Sequence, residues 1–517
     1  MRRKLCCLKR VSRISFNELN IVRKKGRPGD LKIALFYPSL YHVALDTLSF
    51  HMLYFYVNSR IGFIAERFNI VKKTGQEPIP RSIESGASLK LFDVILISVH
   101  YEPDYVNILR FLYASGIPIL SSKRDRPYVI VGGPAVISNP EPLAEVVDVF
   151  ALGDIEPILP YLLDCLLEFY DRKRELLESL PPERGFYVPQ RGDEEVIINK
   201  ANELPLKFHP IAQIQPSGKN SRRRKTMIEA MRGCFRECSF CLEGAIFKPK
   251  RERSYEQVKV IADQGVYFNK SKKVVLLALS YFDHSEADKI LEYLVNNKFE
   301  VSVPSIRVET LNERRLELIA TGGQKTLTIA PETADRDLSL KIGKPFLPTL
   351  IEDTAIYARK IGIKSLKLYF MIGLPGETRE HLRKIVNFIE TLSEKSGYKG
   401  VRELKITVSP FVPKPHTPMQ LAWVEDVQVL KRKIDFLKSK LGGIAEVRSH
   451  DPRWSHIQTI LSRGDREIGK ILMLWAKYGG GLGGWRKAVR NLNIDIRKYL
   501  VPSSTTSMPW KKIKLAS

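Results

Sequence analysis

Three cysteines fall within eight residues, in the run Cys234-Phe-Arg-Glu-Cys238-Ser-Phe-Cys241. Three thiolates on one tight loop suit three irons of a [4Fe–4S] cluster, because each iron takes one thiolate. The fourth iron then has no protein ligand. A structural cluster calls for a fourth cysteine, and structural zinc for a fourth ligand close by. Cys6, Cys7 and Cys165 belong to other segments, and the nearest upstream histidine is His209. The spacing therefore points to an iron completed by a small molecule, with a zinc knuckle or chance spacing as the competing reading.

A loop of this kind needs a scaffold. The cysteines directly follow a strand pattern at 225–231, the first of six; the others are 274–279, 300–303, 325–329, 365–372 and 404–408. Helical patterns fill the gaps, for example at 312–320 and 379–394. Six β/α units in succession predict a partial (β/α)6 barrel of TIM type over 225–420, with chemistry at the carboxyl ends of its strands. Upstream, apolar runs at 32–37, 92–98, 128–131 and 147–152 alternate with helices. They predict an α/β, Rossmann-like parallel sheet over 31–170. Ligands of such sheets lie outside the strands' carboxyl ends, where Pro38, Ser98, Gly132 and Gly153 fall. Residues 1–30 read as a loosely ordered basic arm, and 171–224 as a connector with a small strand pair at 185–188 and 195–198. Residues 421–517 read as a helical C-terminal region ending in a frayed basic tail at 511–514.

Hydrophobic residues at 44% and charged residues at 27% describe an ordinary folded chain. No apolar run reaches the roughly 18 residues of a membrane span. The basic N-terminus lacks the apolar core of a signal peptide. Six cysteines in 517 residues are too sparse for a disulfide scaffold, so the expected compartment is the cytoplasm, with peripheral membrane contact left open. The net charge of +26 is clustered, with runs at 222–225, 248–253 and 270–273. Such an excess suits polyanionic partners, RNA or anionic lipid, with a merely solvated basic surface as the alternative.

Cys-x3-Cys-x2-Cys after the first strand of a β/α barrel resembles the radical S-adenosylmethionine (SAM) superfamily. Leu368-Tyr-Phe-Met-Ile-Gly373-Leu-Pro375-Gly-Glu377 is similar to its fifth-strand motif. Met231-Arg-Gly-Cys234, Ser302-Val-Pro-Ser305-Ile-Arg307, Ala330-Pro331-Glu332-Thr333, Ser409-Pro-Phe-Val-Pro-Lys414 and Ser462-Arg-Gly-Asp465 look like one branch of it. That branch joins an N-terminal cobalamin-binding-type domain to the barrel, and the match runs over roughly 31–490.

The resemblance implies that the open iron chelates the methionine end of SAM and that one electron, from a reductant such as ferredoxin or flavodoxin, releases a 5′-deoxyadenosyl radical. It further implies that Phe240 packs on adenine and that backbone at Gly373 faces it. Arg307 and Lys367 suit the SAM carboxylate, since a charge-assisted bond fits that group. Glu332 suits a ribose hydroxyl or, alternatively, pairs with Arg307 or Lys367. Two departures stand out. Where many members have Gly-Gly-Glu, this chain has Leu277-Ala-Leu-Ser280-Tyr281, leaving Ser280 and backbone carbonyls for the methionine amino group. The N-terminal segment lacks Asp-x-His-x-x-Gly; His42 has no such frame, and no histidine is placed to ligate cobalt. Gly132-Gly133 does match the glycine pair that admits a cobalamin tail, and a side chain at Gly133 is expected to block it without unfolding the sheet. Cobalamin is thus left open against a domain that keeps only the fold. The implied function is a radical SAM enzyme modifying an unactivated C–H or carbon centre of a substrate that the resemblance leaves open; the net charge of +26 makes RNA the candidate. The alternatives are modification of archaeal-type tetraether lipid chains and a non-catalytic iron–sulfur regulator.

Overall fold

The computed structural model describes residues 17–70, 80–192, 194–503 and 508–515; Cys6, Cys7 and the first part of the expected arm lie outside the described residues. The N-terminal sheet contains β1 (Leu31–Leu40), β2 (Phe63–Ile70), β3 (Val94–Ser98), β4 (Tyr128–Gly132), β5 (Val149–Ala151) and β6 (Phe186–Tyr187). Their order is 2-1-3-4-5-6; the first five are parallel and β6 is antiparallel to β5. Helices α1 (Leu48–Ser59), α2 (Tyr105–Ser115) and α3 (Ile155–Phe169) connect them. Successive side chains of a strand point to opposite faces. Ile33 and Leu35 accordingly join the core under α1 and α3, and Ala34 and Phe36 the core under α2. Both faces are buried, so the apolar runs are continuous and not alternating.

β2 escapes the apolar pattern because it carries Glu66, Arg67 and Asn69. Arg67 is buried and paired with Glu18 and Glu84, each at 2.6 Å. Glu18–Leu19 in turn pairs with Gln215–Pro216, so the part of the arm from residue 17 is tied down and not loose.

The second series is β7 (Thr226–Glu229), β8 (Lys273–Leu277), β9 (Glu300–Ser302), β10 (Thr326–Glu332), β11 (Ser365–Ile372) and β12 (Leu404–Pro410). It continues past residue 420: β13 (Glu446–Ser449) pairs in parallel with β12. The ladders β7-β8-β9 and β10-β11-β12-β13 are joined by a parallel bridge between Ile306 and Ile329. On β11, Leu366, Leu368, Phe370 and Ile372 are buried, while Lys367, Tyr369 and Met371 are partly open on the other face. A short helix, α4 (Leu242–Ile246), follows the cysteines.

Leu48 and Met52 of α1 pack on Met227, Val275 and Leu277 of β7 and β8, docking the N-terminal sheet against the barrel. Helices α5 (Pro452–Arg463), α6 (Arg466–Lys477) and α7 (Gly481–Leu492) then return to that sheet. Ile468, Leu472 and Trp475 share one core with Ile95, Val131 and Phe111. The expected strand pair in the connector does not form. β6 joins β5, and Val196–Ile197 pairs with Ile513–Lys514. Residues 511–514 are therefore anchored, beside a buried Trp510, and not frayed. No helix among the described residues is long and apolar enough to cross a membrane.

Candidate functional site

After β7 the chain runs through Met231–Arg232, which pairs antiparallel with Arg251–Glu252 and forms the base of the cysteine loop. Gly233 turns the chain at φ +83°, and a Cβ there would lie 2.3 Å from the Phe247 carbonyl oxygen. Only glycine meets both conditions. Cys234 is buried, Cys238 and Cys241 are half-buried, and all three are free thiols. Each sulfur accepts one N–H. Arg236 N donates to Cys234 Sγ at 3.3 Å, Gly244 N to Cys241 Sγ at 3.3 Å, and Arg307 Nη1 to Cys238 Sγ at 3.4 Å. Donors of this kind stabilise negative charge on ligand sulfur. Burial pushes the Cys241 thiol up to about 11 and the Cys234 thiol in the same direction.

The other expected site residues are distributed around this loop. Phe240 packs on Leu338, Ile342, Leu374 and Phe411, beside the end of β11. Gly373 has φ +76°, and its N–H donates to Glu377 Oε2 at 2.8 Å. Ser280 is buried beyond β8, near Asp283. Burial alone would raise the Asp283 carboxyl; hydrogen bonds from Arg236 and Ser280 overcome it and hold the group below its ordinary range. Arg236 contacts Asp283 with two nitrogens, at 2.9 and 2.6 Å. Arg307 Nε pairs with Glu309 at 2.6 Å. Lys367 Nζ donates to Tyr369 OH at 2.6 Å on the open face of β11. The alternative pairing of Glu332 with Arg307 or Lys367 does not form: its partner is Lys344, at 2.7 Å. A bulge between Ile329 and Glu332, which leaves Glu332 at φ +69°, re-aims that side chain.

A cavity of about 540 Å³ links this loop to the N-terminal sheet. From the sheet it is bordered by Ser98, His100, Gly132 and Gly133 over an apolar floor of Leu96, Ile130 and Ile158. From the barrel it is bordered by Glu229, Arg232, Gly233 and Glu243. Glu243, two residues past Cys241, has its carboxyl raised by burial. Arg232 spans the junction, 3.0 Å from Asp154, 2.8 Å from Glu156 and 2.8 Å from Glu229.

Three expectations need correcting here. The space beside Gly133 is not free: at φ +111°, a Cβ would lie 2.4 Å from the Val99 carbonyl oxygen, so glycine is required by the protein's own backbone. A histidine does face the cavity of the N-terminal domain: His100, which follows β3 and not the first strand where the usual signature sits. The two arginines of the basic run at 248–253 are not open surface: Arg251 and Arg253 are buried and paired with Asp154 and Glu229. His100, Glu243 and the Arg236–Asp283 pair carried no spacing signal; only the topology brings them to the site.

Residues 49–189 match the family model described as radical SAM proteins, N-terminal, and residues 228–389 that of the radical SAM superfamily. An uncharacterized protein of Methanocaldococcus jannaschii is 32% identical over 394 residues, covering 75% of this chain and 82% of its own. An uncharacterized methyltransferase of Pyrococcus horikoshii is 25% identical over 323 residues, 59% of this chain and 68% of its own. The ribosomal protein uS12 methylthiotransferase RimO of Desulfotalea psychrophila is 28% identical over 285 residues, 49% of this chain and 62% of its own. Among solved structures, the radical SAM methyltransferase TsrM from Kitasatospora setae, with cobalamin and a [4Fe–4S] cluster bound, superimposes with a TM-score of 0.53 at 14% identity, over 89% of this chain and 99% of that one. The cobalamin-dependent SAM radical enzyme OxsB with aqua-cobalamin gives 0.53 at 16% identity, over 93% and 79%. These likenesses fix the fold.

Proposed function

This chain belongs to the radical SAM superfamily of enzymes, and on that premise we propose that it transfers a methyl-type group to an unactivated carbon. Cys234, Cys238 and Cys241 hold a [4Fe–4S] cluster with SAM on the open iron, and cobalamin occupies the cavity between sheet and barrel. When bound, cluster and SAM supply a carbon-centred radical, and cobalamin a metal that accepts and hands on methyl groups.

One observation carries the reading: a single cavity reaches from the strand ends at Gly132-Gly133 to Arg232, Gly233 and Glu243, which flank the cysteines. The donor set fits the cluster, with three thiols, each already matched to one N–H. The small residues Gly132 and Ala151, at the ends of β4 and β5, border the cavity, and its apolar floor suits a heteroaromatic tail. In this reading Phe240 and the Gly373 turn bind adenine, Ser280 and neighbouring carbonyls the methionine amino group, and Arg307 and Lys367 the SAM carboxylate, with Glu332 near the ribose. The methyl class is supported by the Pyrococcus relative and TsrM, both named methyltransferases.

The partner class is a polyanion, RNA. Exposed Tyr267 and Phe268 lie beside the basic run 270–273, with Lys270 Nζ 4.4 Å from the Tyr267 ring centre. Ser271 donates to the Arg224 carbonyl at 2.9 Å, joining that run to 222–225. This surface is at the opposite strand ends from the cysteines, so it serves docking. The electron comes from a reductant of ferredoxin or flavodoxin type. The test is transfer of a deuterated methyl group from SAM, under reducing anaerobic conditions, to RNA or lipid extracts of a deletion strain. Labelled RNA supports the proposal; label in lipid alone replaces the substrate class, and label in neither overturns the methyl-transfer reading.

A further inference from the structure

The strand order 2-1-3-4-5 reverses direction between β1 and β3. At such a switch point the loops after the two strands part and leave a crevice. His100 comes from the loop after β3, and Ser49 from the first turn of α1, after β1. His100 Nε2 is 3.1 Å from Ser98 Oγ and 3.3 Å from Ser49 Oγ. Tyr37 meets the ring edge-on, with centroids 5.6 Å apart. The ring nevertheless stays open to the cavity. Nδ1 has no hydrogen-bond partner among the described residues. A nucleophilic Ser–His reading lacks its third member, because no carboxylate reaches Nδ1. His51, by contrast, has both ring nitrogens engaged, with the Leu45 carbonyl and the Ile214 N–H.

We propose that His100 is a protein ligand to cobalt: its Nδ1 lone pair binds the metal of cobalamin seated in the cavity, with the imidazole proton on Nε2 donated to Ser98 Oγ. This rests on the cobalamin reading above. Metal-bound histidines characteristically give their other N–H to a fixed acceptor, which sets tautomer and ring orientation. The two serine hydroxyls are placed for that task. Only a coordinate bond forms; a water on cobalt is displaced, and the metal's oxidation state is unchanged.

The test is electron paramagnetic resonance of the full-length protein loaded with cobalamin and reduced to the Co(II) state. The sample is prepared unlabelled and with ¹⁵N-histidine. A nitrogen ligand from the protein splits each cobalt line into a triplet, which becomes a doublet on labelling; nitrogen of the cofactor's own base stays a triplet. The triplet-to-doublet change in wild type, lost in His100→Ala with cobalamin still bound, is the expected result. Stoichiometric cobalamin without ¹⁵N coupling overturns the role of His100 and leaves the cofactor reading standing. No cobalamin bound at all overturns both.

Discussion

Arg307 donates from Nη1 to the Cys238 sulfur at 3.4 Å while Nε holds Glu309 at 2.6 Å, so one guanidinium ties the loop after β9 to the cysteine loop. A hydrogen bond from a charged donor is worth about 1.5–3 kcal/mol. It favours whichever cluster state carries more negative charge. Arg307→Met is expected to retain the cluster but shift its reduction potential downward, read by a redox titration of the absorption band. An unchanged potential would mean that the bond is lost when the cluster assembles.

Replacing Cys234, Cys238 or Cys241 singly by Ala should remove the intact cluster and abolish 5′-deoxyadenosine formation. Cys165→Ala should do neither, because that residue is buried in α3 with its thiol turned to the Ser179 carbonyl. Iron and sulfide analysis after anaerobic reconstitution checks both halves; wild-type SAM cleavage by Cys238→Ala would defeat the ligand assignment.

Gly133→Val should destabilise the fold by about 1–3 kcal/mol or more, since it forces a β-branched residue to positive φ against the Val99 carbonyl. It is therefore a poor probe of the cavity. Ala151→Leu, at the cavity border, should lower cobalamin binding at least tenfold with little change in thermal midpoint. Equal affinity for the variant would place the cofactor elsewhere.

Arg232→Ala strips Glu156 of its cation and leaves Asp154 and Glu229 with Arg251 and Arg253 alone, a loss of about 3–5 kcal/mol by analogy with broken buried pairs. Burial raises the Glu229 carboxyl, but Arg232 outweighs it and holds the group at about 2, below its ordinary 4.5. A depressed carboxyl stabilises the fold above its unfolded value, and that stability is lost as pH falls from about 4.5 to about 2. Acid unfolding of the variant should begin at higher pH than in wild type, as followed by circular dichroism.

RNA affinity should fall steeply with salt, in proportion to the phosphates neutralised. Tyr267→Ala should weaken it further by about 1–3 kcal/mol if a base stacks there. Fluorescence anisotropy with a labelled single strand measures both. Salt-insensitive binding, or binding to anionic vesicles alone, would remove RNA from the reading.

The parts of this molecule that were legible in the chain are those governed by local pattern. Cys234, Cys238 and Cys241 announce themselves by spacing, and β11 by an apolar run whose ends coincide with 365–372. What stayed hidden depends on distant partners. β2 was masked by Arg67, whose charge is buried only because Glu18 and Glu84 arrive from elsewhere. His100 is one histidine among nine until the switch point turns it to the cavity. The sequence offers Glu332 either a ribose hydroxyl or a pairing with Arg307 or Lys367, whereas a bulge sends it to Lys344.

The return of α5–α7 to the N-terminal sheet sets a timetable for biosynthesis. Ile95 and Val131 emerge early from the ribosome, yet Ile468, Leu472 and Trp475, which share their core, are made 337 to 380 residues later. Until then one side of the sheet lacks its outer layer and is exposed to aggregation. A chain cut near residue 450 would therefore present a sticky apolar surface in place of a separable domain.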